Sequence, residues 1–146
     1  LFDELELLHK TGIKKVDTEN ITDSVVGRTN VNKFIKDMLL RAKKSVTILT
    51  NDQGIKHKLK VLKKVNSSLA RKKVKVKLYT NDPKVKSNLN NVEVFNTNYN
   101  ARFVNVDNDE IFFVMAGKDP EYDSGVWIKS PYFVSALDSL FEKGNR

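Results

Sequence analysis

The chain has 146 residues, of which 40% are hydrophobic and 30% charged, enough to bury the core of one ordinary domain. It has no cysteine and two histidines, His9 and His57, which excludes a disulfide framework, a thiolate metal site, a thiol nucleophile and a His-rich metal centre. The net charge is +8, no apolar run reaches the roughly 18–20 residues that span a bilayer, and no secretory signal opens the chain, so a cytoplasmic setting is expected.

Leu1 to Lys10 reads as the end of a helix, with Leu1, Leu5 and Leu8 in one stripe. Thr11 to Asp23 reads as a polar connection. The missing initial Met fits a fragment of a larger protein. Val31 to Lys43 has helical spacing, with Val31, Phe34, Ile35, Met38, Leu39 and Ala42 inward and Thr29 or Asn30 as cap. Ser45–Leu49 is a predicted strand. A lysine-rich helix follows from about Gly54 to Arg71, then a strand from Val74 to Tyr79 and a short helix from Pro83 to about Asn88. Val92–Phe95 is the next strand. Alternating strands and helices predict a mixed, mainly parallel sheet flanked by helices, an α/β fold. Arg102–Val106 and Glu110–Met115 flank Asp107-Asn108-Asp109, a hairpin-like turn. Gly125–Ile128 is a further strand, and Ser130-Pro131 opens the last helix as N-cap and first helical residue.

The basic excess is local. From Gln53 to Asn81 there is no acidic residue and there are ten lysines and arginines, which leaves about −2 for the rest. Within it Lys56, Lys60, Lys63 and Lys64 belong to the amphipathic helix, and Lys73, Lys75 and Lys77 alternate with valine and leucine along the next strand. No aromatic side chain interrupts them before Tyr79, so this surface suits phosphate contact rather than base stacking. Its bland reading is a solvated lysine face.

Two turns echo each other. Thr50-Asn51-Asp52 and Thr80-Asn81-Asp82 each follow a strand and lead into a helix. Such turns lie at the carboxyl edge of a parallel sheet, where ligands of open α/β folds bind, although Asn and Asp there also serve as helix caps. Asn51, Asp52 and Asn81 are therefore candidate ligand contacts. Arg28, before a helix, is a candidate anion clamp. Asp107 and Asp109 could pair around a metal or as acid and base, but turn formation explains them as well. Trp127 is expected in the core, and both histidines on the surface.

The stretch from Asn100 to Asp107 resembles the H-x-K-x-x-x-x-D motif of the phospholipase D superfamily, with Asn100, Arg102 and Asp107 at the motif positions. The resemblance implies that the nucleophilic histidine is replaced by an amide that cannot attack phosphorus. Arginine in place of lysine keeps the positive charge. A broader resemblance covers about residues 1 to 142. Gly27-Arg28-Thr29-Asn30-Val31, Arg41-Ala42-Lys43-Lys44-Ser45-Val46, Phe103-Val104-Asn105-Val106-Asp107 and Gly125-Val126-Trp127-Ile128-Lys129-Ser130-Pro131 follow the order found in the C-terminal effector domain of TrmB-like archaeal transcriptional regulators.

That resemblance implies residues 1–23 as the end of a helical linker with its connection, and 24–146 as a single phospholipase-D-like repeat serving effector binding and dimerisation. It implies a homodimer, a small polar or anionic effector meeting Asn100, Arg102 and Asp107, DNA contact through a winged helix outside this chain, no cofactor, no metal and no enzyme activity. The alternative is a nucleic-acid-binding module using the lysine surface. A residual phosphodiesterase using Asp107, Asp109 and a metal ion ranks last.

Overall fold

The computed structural model describes residues 21–51, 55–82, 84–85, 89–99, 101–115 and 122–144. The strands are β1 (Ile21–Val26), β2 (Ser45–Thr50), β3 (Lys75–Thr80), β4 (Val92–Asn96), β5 (Phe103–Val106), β6 (Glu110–Met115) and β7 (Ser124–Lys129). The helices are α1 (Arg28–Arg41), α2 (Ile55–Arg71) and α3 (Pro131–Gly144). All described strands join one sheet in the order β1-β7-β6-β5-β2-β3-β4.

The sheet corrects the expectation of mainly parallel pairing. Only β2–β3 and β3–β4 are parallel; β2–β5, β5–β6, β6–β7 and β7–β1 are antiparallel. The cause is connection length. A long helix returns the chain from β2 to β3, whereas β5 and β6 are joined by Asp107-Asn108-Asp109 alone, too short for a parallel crossover. Asp107 and Asn108 take the turn with φ of 58° and 53°, a left-handed region that Asp and Asn tolerate better than most residues.

A strand was also missed. Ile21–Asp23, read as part of a polar connection, opens β1, and its partner β7 comes about a hundred residues later. The ladder ends where Gly27 N–H donates to Asp123 O at 2.7 Å. Gly27 itself precedes α1 with φ 97°, and no side chain caps that helix. The expected caps do something else: Thr29 and Asn30 lie inside α1, and Asn30 Nδ2 donates back to Val26 O. At α3 the expected cap is present, with Phe133 N–H donating to Ser130 Oγ. The Leu1–Lys10 helix and residues 11–20 lie outside the described residues, as do Pro83 and Lys86–Asn88 of the expected short helix.

Helices α1 and α2 cover one face of the sheet. Val31, Ile35, Met38 and Leu39 of α1 and Leu62, Val65 and Leu69 of α2 pack on Val46, Ile48, Val76, Leu78, Val104, Val106 and Phe112. Trp127 packs against this core as expected, and its indole N–H donates to the buried Glu110, which also accepts from Arg41 at 2.6 Å. Gly125 lies against the ring of Phe112; a Cβ there would fall 2.0 Å from Cζ, so the glycine in the Gly-Val-Trp stretch is a packing requirement. Among the described residues the opposite face carries α3, whose Phe141 meets Leu49, Tyr79 and Phe103.

Candidate functional site at the carboxyl edge of the parallel strands

Topology selects the place. From β2 the chain winds outward through β3 to the edge strand β4, then residues 97–102 carry it back to β5 on the other side of β2. Strand order reverses at β2, and ligands of open α/β sheets sit beyond the carboxyl ends of the strands at such a switch point. Asn51 leaves β2 there, and Arg102 enters β5 there.

The two side chains meet: Arg102 Nε donates to Asn51 Oδ1 at 3.1 Å. Strand alternation places Thr50, Thr80 and Arg102 on the face that α2 covers, and both threonines are fully buried. The first turn of α2 adds Lys58, which is only 5% exposed. Burial, and next the positive charge of Arg102, lower its pKa from 10.5 to about 8. Among the described residues, none accepts a hydrogen bond from its ammonium group or forms an ion pair with it. Two cationic side chains, Lys58 buried and Arg102 half-buried, therefore lie close enough to repel each other at this edge.

Lys58 was not among the candidate residues, yet its position signals it. Counting back from Leu69, Val65 and Leu62 at steps of four and three, the next place on the buried stripe is position 58. A lysine there is the exception on a helix whose other lysines point to solvent.

The remaining candidates divide. Asn81 lies at the same edge, exposed and with an interaction of its own. The turn after it is closed by Asp82 N–H on Thr80 Oγ1, by Lys84 N–H on Asp82 Oδ1 and by Asn96 Nδ2 on Asp82 O. Asp82 thus organises a turn, in line with its local role. Arg28 lies at this edge three strands beyond β5, and its guanidinium is held by Asp123 at 2.9 Å, so its charge is already matched. Asn100 and Asp52 lie outside the described residues, and for His57 the side chain does too.

Asp107 does not join Arg102. It follows β5, at the opposite edge of the sheet, about five residues or roughly 16 Å along the strand. Its carboxylate accepts the backbone N–H groups of Lys43, Lys44 and Ser45 at 2.7–3.2 Å, fixing the connection between α1 and β2. Asp109 faces Lys129 at 4.0 Å. The two aspartates therefore serve the turn and its neighbours, and among the described residues no cluster of three or more metal-ligating side chains occurs.

The lysine surface is split by the same alternation. Val74, Val76 and Leu78 face α1 and α2, so Lys75 and Lys77 point from the other face of the sheet, away from Lys56, Lys60, Lys63 and Lys64 on the outside of α2. Lys73 sits in the turn between them with φ 60°. The sequence cluster is not one continuous surface.

No family model matches the chain, and no curated protein matches it. Solved structures do. The archaeal chromatin protein TrmBL2, whose structure shows a novel mode of DNA binding, aligns with a TM-score of 0.61 at 18% identity, over 97% of this chain and 58% of its own. NucT from Helicobacter pylori aligns at TM-score 0.66 and 15% identity over 86% of this chain and 96% of its own. Nuc from Salmonella typhimurium, a phospholipase D family member, gives 0.57 and 12% over 85% and 94%.

The fold is phospholipase-D-like. The chain spans little more than half the length of TrmBL2. A phosphatidylserine synthase from Haemophilus influenzae shares the fold too, at TM-score 0.55 and 14% identity over 90% of this chain. That finding corrects the expectation that the chain is not an enzyme. That expectation rested on the missing motif histidine, the lack of a carboxylate cluster and the TrmB-like resemblance, whereas this scaffold also carries enzymes. Among the described residues no helix is long and apolar enough to cross a membrane.

Proposed function

We propose that this chain is the effector-binding and pairing module of a TrmB-like DNA-binding regulator, and that its effector is an anion held at the carboxyl edge of β2 by Arg102, Lys58 and Asn51. The observation that carries the reading is Lys58, buried beside Arg102 without an acceptor among the described residues. A buried cation is costly unless paired. An anion, above all a phosphate group, removes that cost and the repulsion between the two side chains together. Alignment with TrmBL2 over 97% of the chain supports the regulator context.

In this reading the chain works as a homodimer in the cytoplasm, and DNA is reached through a part of the regulator outside these residues. Asn81 lies at the same edge and adds an amide contact to the anion. Effector binding favours one arrangement of the pair and so biases the attached DNA-binding parts.

The test is calorimetric titration with inorganic phosphate and with a nucleotide monophosphate at low ionic strength. Saturable binding that weakens at least tenfold in Arg102→Ala and in Lys58→Met supports the site. Binding unchanged in both variants overturns it. Incubating the same protein with an activated phosphodiester shows whether the edge also turns substrate over.

A further inference from the structure

The second face of the sheet holds a cavity independent of the anion site. It has a volume of about 350 Å³ and lies between the sheet and α3, walled by Leu49, Phe103, Ile111 and Phe113 below and by Leu137 and Phe141 above. Its aromatic rings meet edge to face: Phe103 and Phe113 have centroids 6.0 Å apart, Phe103 and Phe141 5.5 Å. Such an arrangement leaves ring faces and edges free to pack on a planar guest.

Three polar side chains, Tyr99, Asn105 and Asp138, break the apolar wall, and Asn105 holds the buried acceptor left without a partner. Asn105 lines the cavity and is 3% exposed. Its Nδ2 donates to Asn108 Oδ1 at 2.9 Å, which fixes the amide with Oδ1 as the other end. That Oδ1 is buried and has no hydrogen-bond partner. A buried acceptor left unmade is costly, and native structures rarely keep one. Asp138, which also lines the cavity, already has a partner, so the site does not call for a cationic guest.

We infer that this cavity is a binding site for a small, neutral, planar aromatic molecule bearing one N–H or O–H donor, with the donor on Asn105 Oδ1 and the rings between Phe103, Phe113 and Phe141. An engineered apolar cavity of about 150 Å³ takes benzene, so the volume here suits a guest of about two rings. The apolar walls supply affinity, and the unpartnered acceptor sets orientation and selectivity. The site stands on different residues from Arg102 and Lys58 and on the opposite face.

The test uses the full chain and two probes of one shape, indole and benzothiophene, followed by protein NMR. Indole, which has the N–H, should shift resonances of Phe103, Phe113 and Phe141 saturably and bind about 3- to 10-fold more tightly than benzothiophene, the range expected for one net hydrogen bond. Asn105→Leu should abolish that preference, and Leu137→Phe, which fills the cavity, should abolish binding of both without touching phosphate titration. No shift at these residues up to the solubility limit overturns the inference. So does equal affinity for the two probes, which means that water satisfies Asn105. Concentration-dependent shifts from self-association that closes the cavity also overturn it, because the occupant is then a second copy.

Discussion

The two edges of one sheet use charge in opposite ways. At the amino edge of the parallel strands the two principal carboxylates are answered. Asp107 takes three backbone amides, and the buried Glu110 takes Arg41 and Trp127. At the carboxyl edge a buried lysine sits beside an arginine, and no described carboxylate pairs with the lysine. A satisfied network stabilises the folded state; a buried cation without an acceptor weakens it and suits an anionic ligand. The comparison therefore predicts that substitutions at the first edge cost stability and spare binding, and that substitutions at the second do the reverse.

The largest effect is expected at Asp107. Asp107→Ala removes a charged acceptor from three N–H groups and places alanine at φ 58°, which it tolerates less well than aspartate. A loss of about 2–4 kcal/mol is expected, read from urea unfolding, with phosphate affinity of the folded fraction unchanged. A weakened affinity with intact stability would place Asp107 in the anion site and break the comparison.

Lys58→Met carries the opposite signature. Relieving a buried, unpaired ammonium should raise stability by about 1–3 kcal/mol while phosphate binding falls at least tenfold. The gain depends on pH with a fixed sign. Folding lowers the Lys58 pKa from 10.5 to about 8, so between these values the unfolded chain binds more protons than the folded one. Wild-type stability should therefore rise across that window relative to Lys58→Met, and the penalty is fully present below pH 8. Phosphate binding should weaken as pH passes about 8, two units before an ordinary lysine would matter, and binding near that pH should take up protons from the buffer.

Much of this architecture was legible. The apolar stripes of α1 and α2, the strands β2 to β7 and the Ser130 cap follow from local periodicity and capping chemistry, which operate within a few residues. What sequence could not supply was long-range pairing. Strand β1 opens with Ile-Thr-Asp-Ser and has no apolar alternation, and its register against β7 reveals it. Parallel direction was extended too far because periodicity identifies a strand without identifying its neighbour.

The candidate site shows the same limit. Motif spacing put Arg102 and Asp107 together, but five residues of extended chain separate them to opposite edges. Helical spacing put Lys58 on the buried stripe, where it was overlooked among lysines of identical local appearance.

The smallest effect expected concerns those other lysines. Because strand alternation divides them, reversing Lys60 and Lys64 on α2 should change binding of a short DNA duplex independently of reversing Lys75 and Lys77 on the opposite face. Each pair should alter stability by less than about 0.5 kcal/mol and leave the phosphate titration within twofold, since screening between exposed charges acts over about 10 Å at 0.1 M salt. If instead all four acted together on duplex affinity, with a steep salt dependence shared between the pairs, the two faces would be contacting one wrapped nucleic acid. The lysines would then outrank the carboxyl edge as the functional surface, and the contrast between the edges would describe the stability of the fold and not its use.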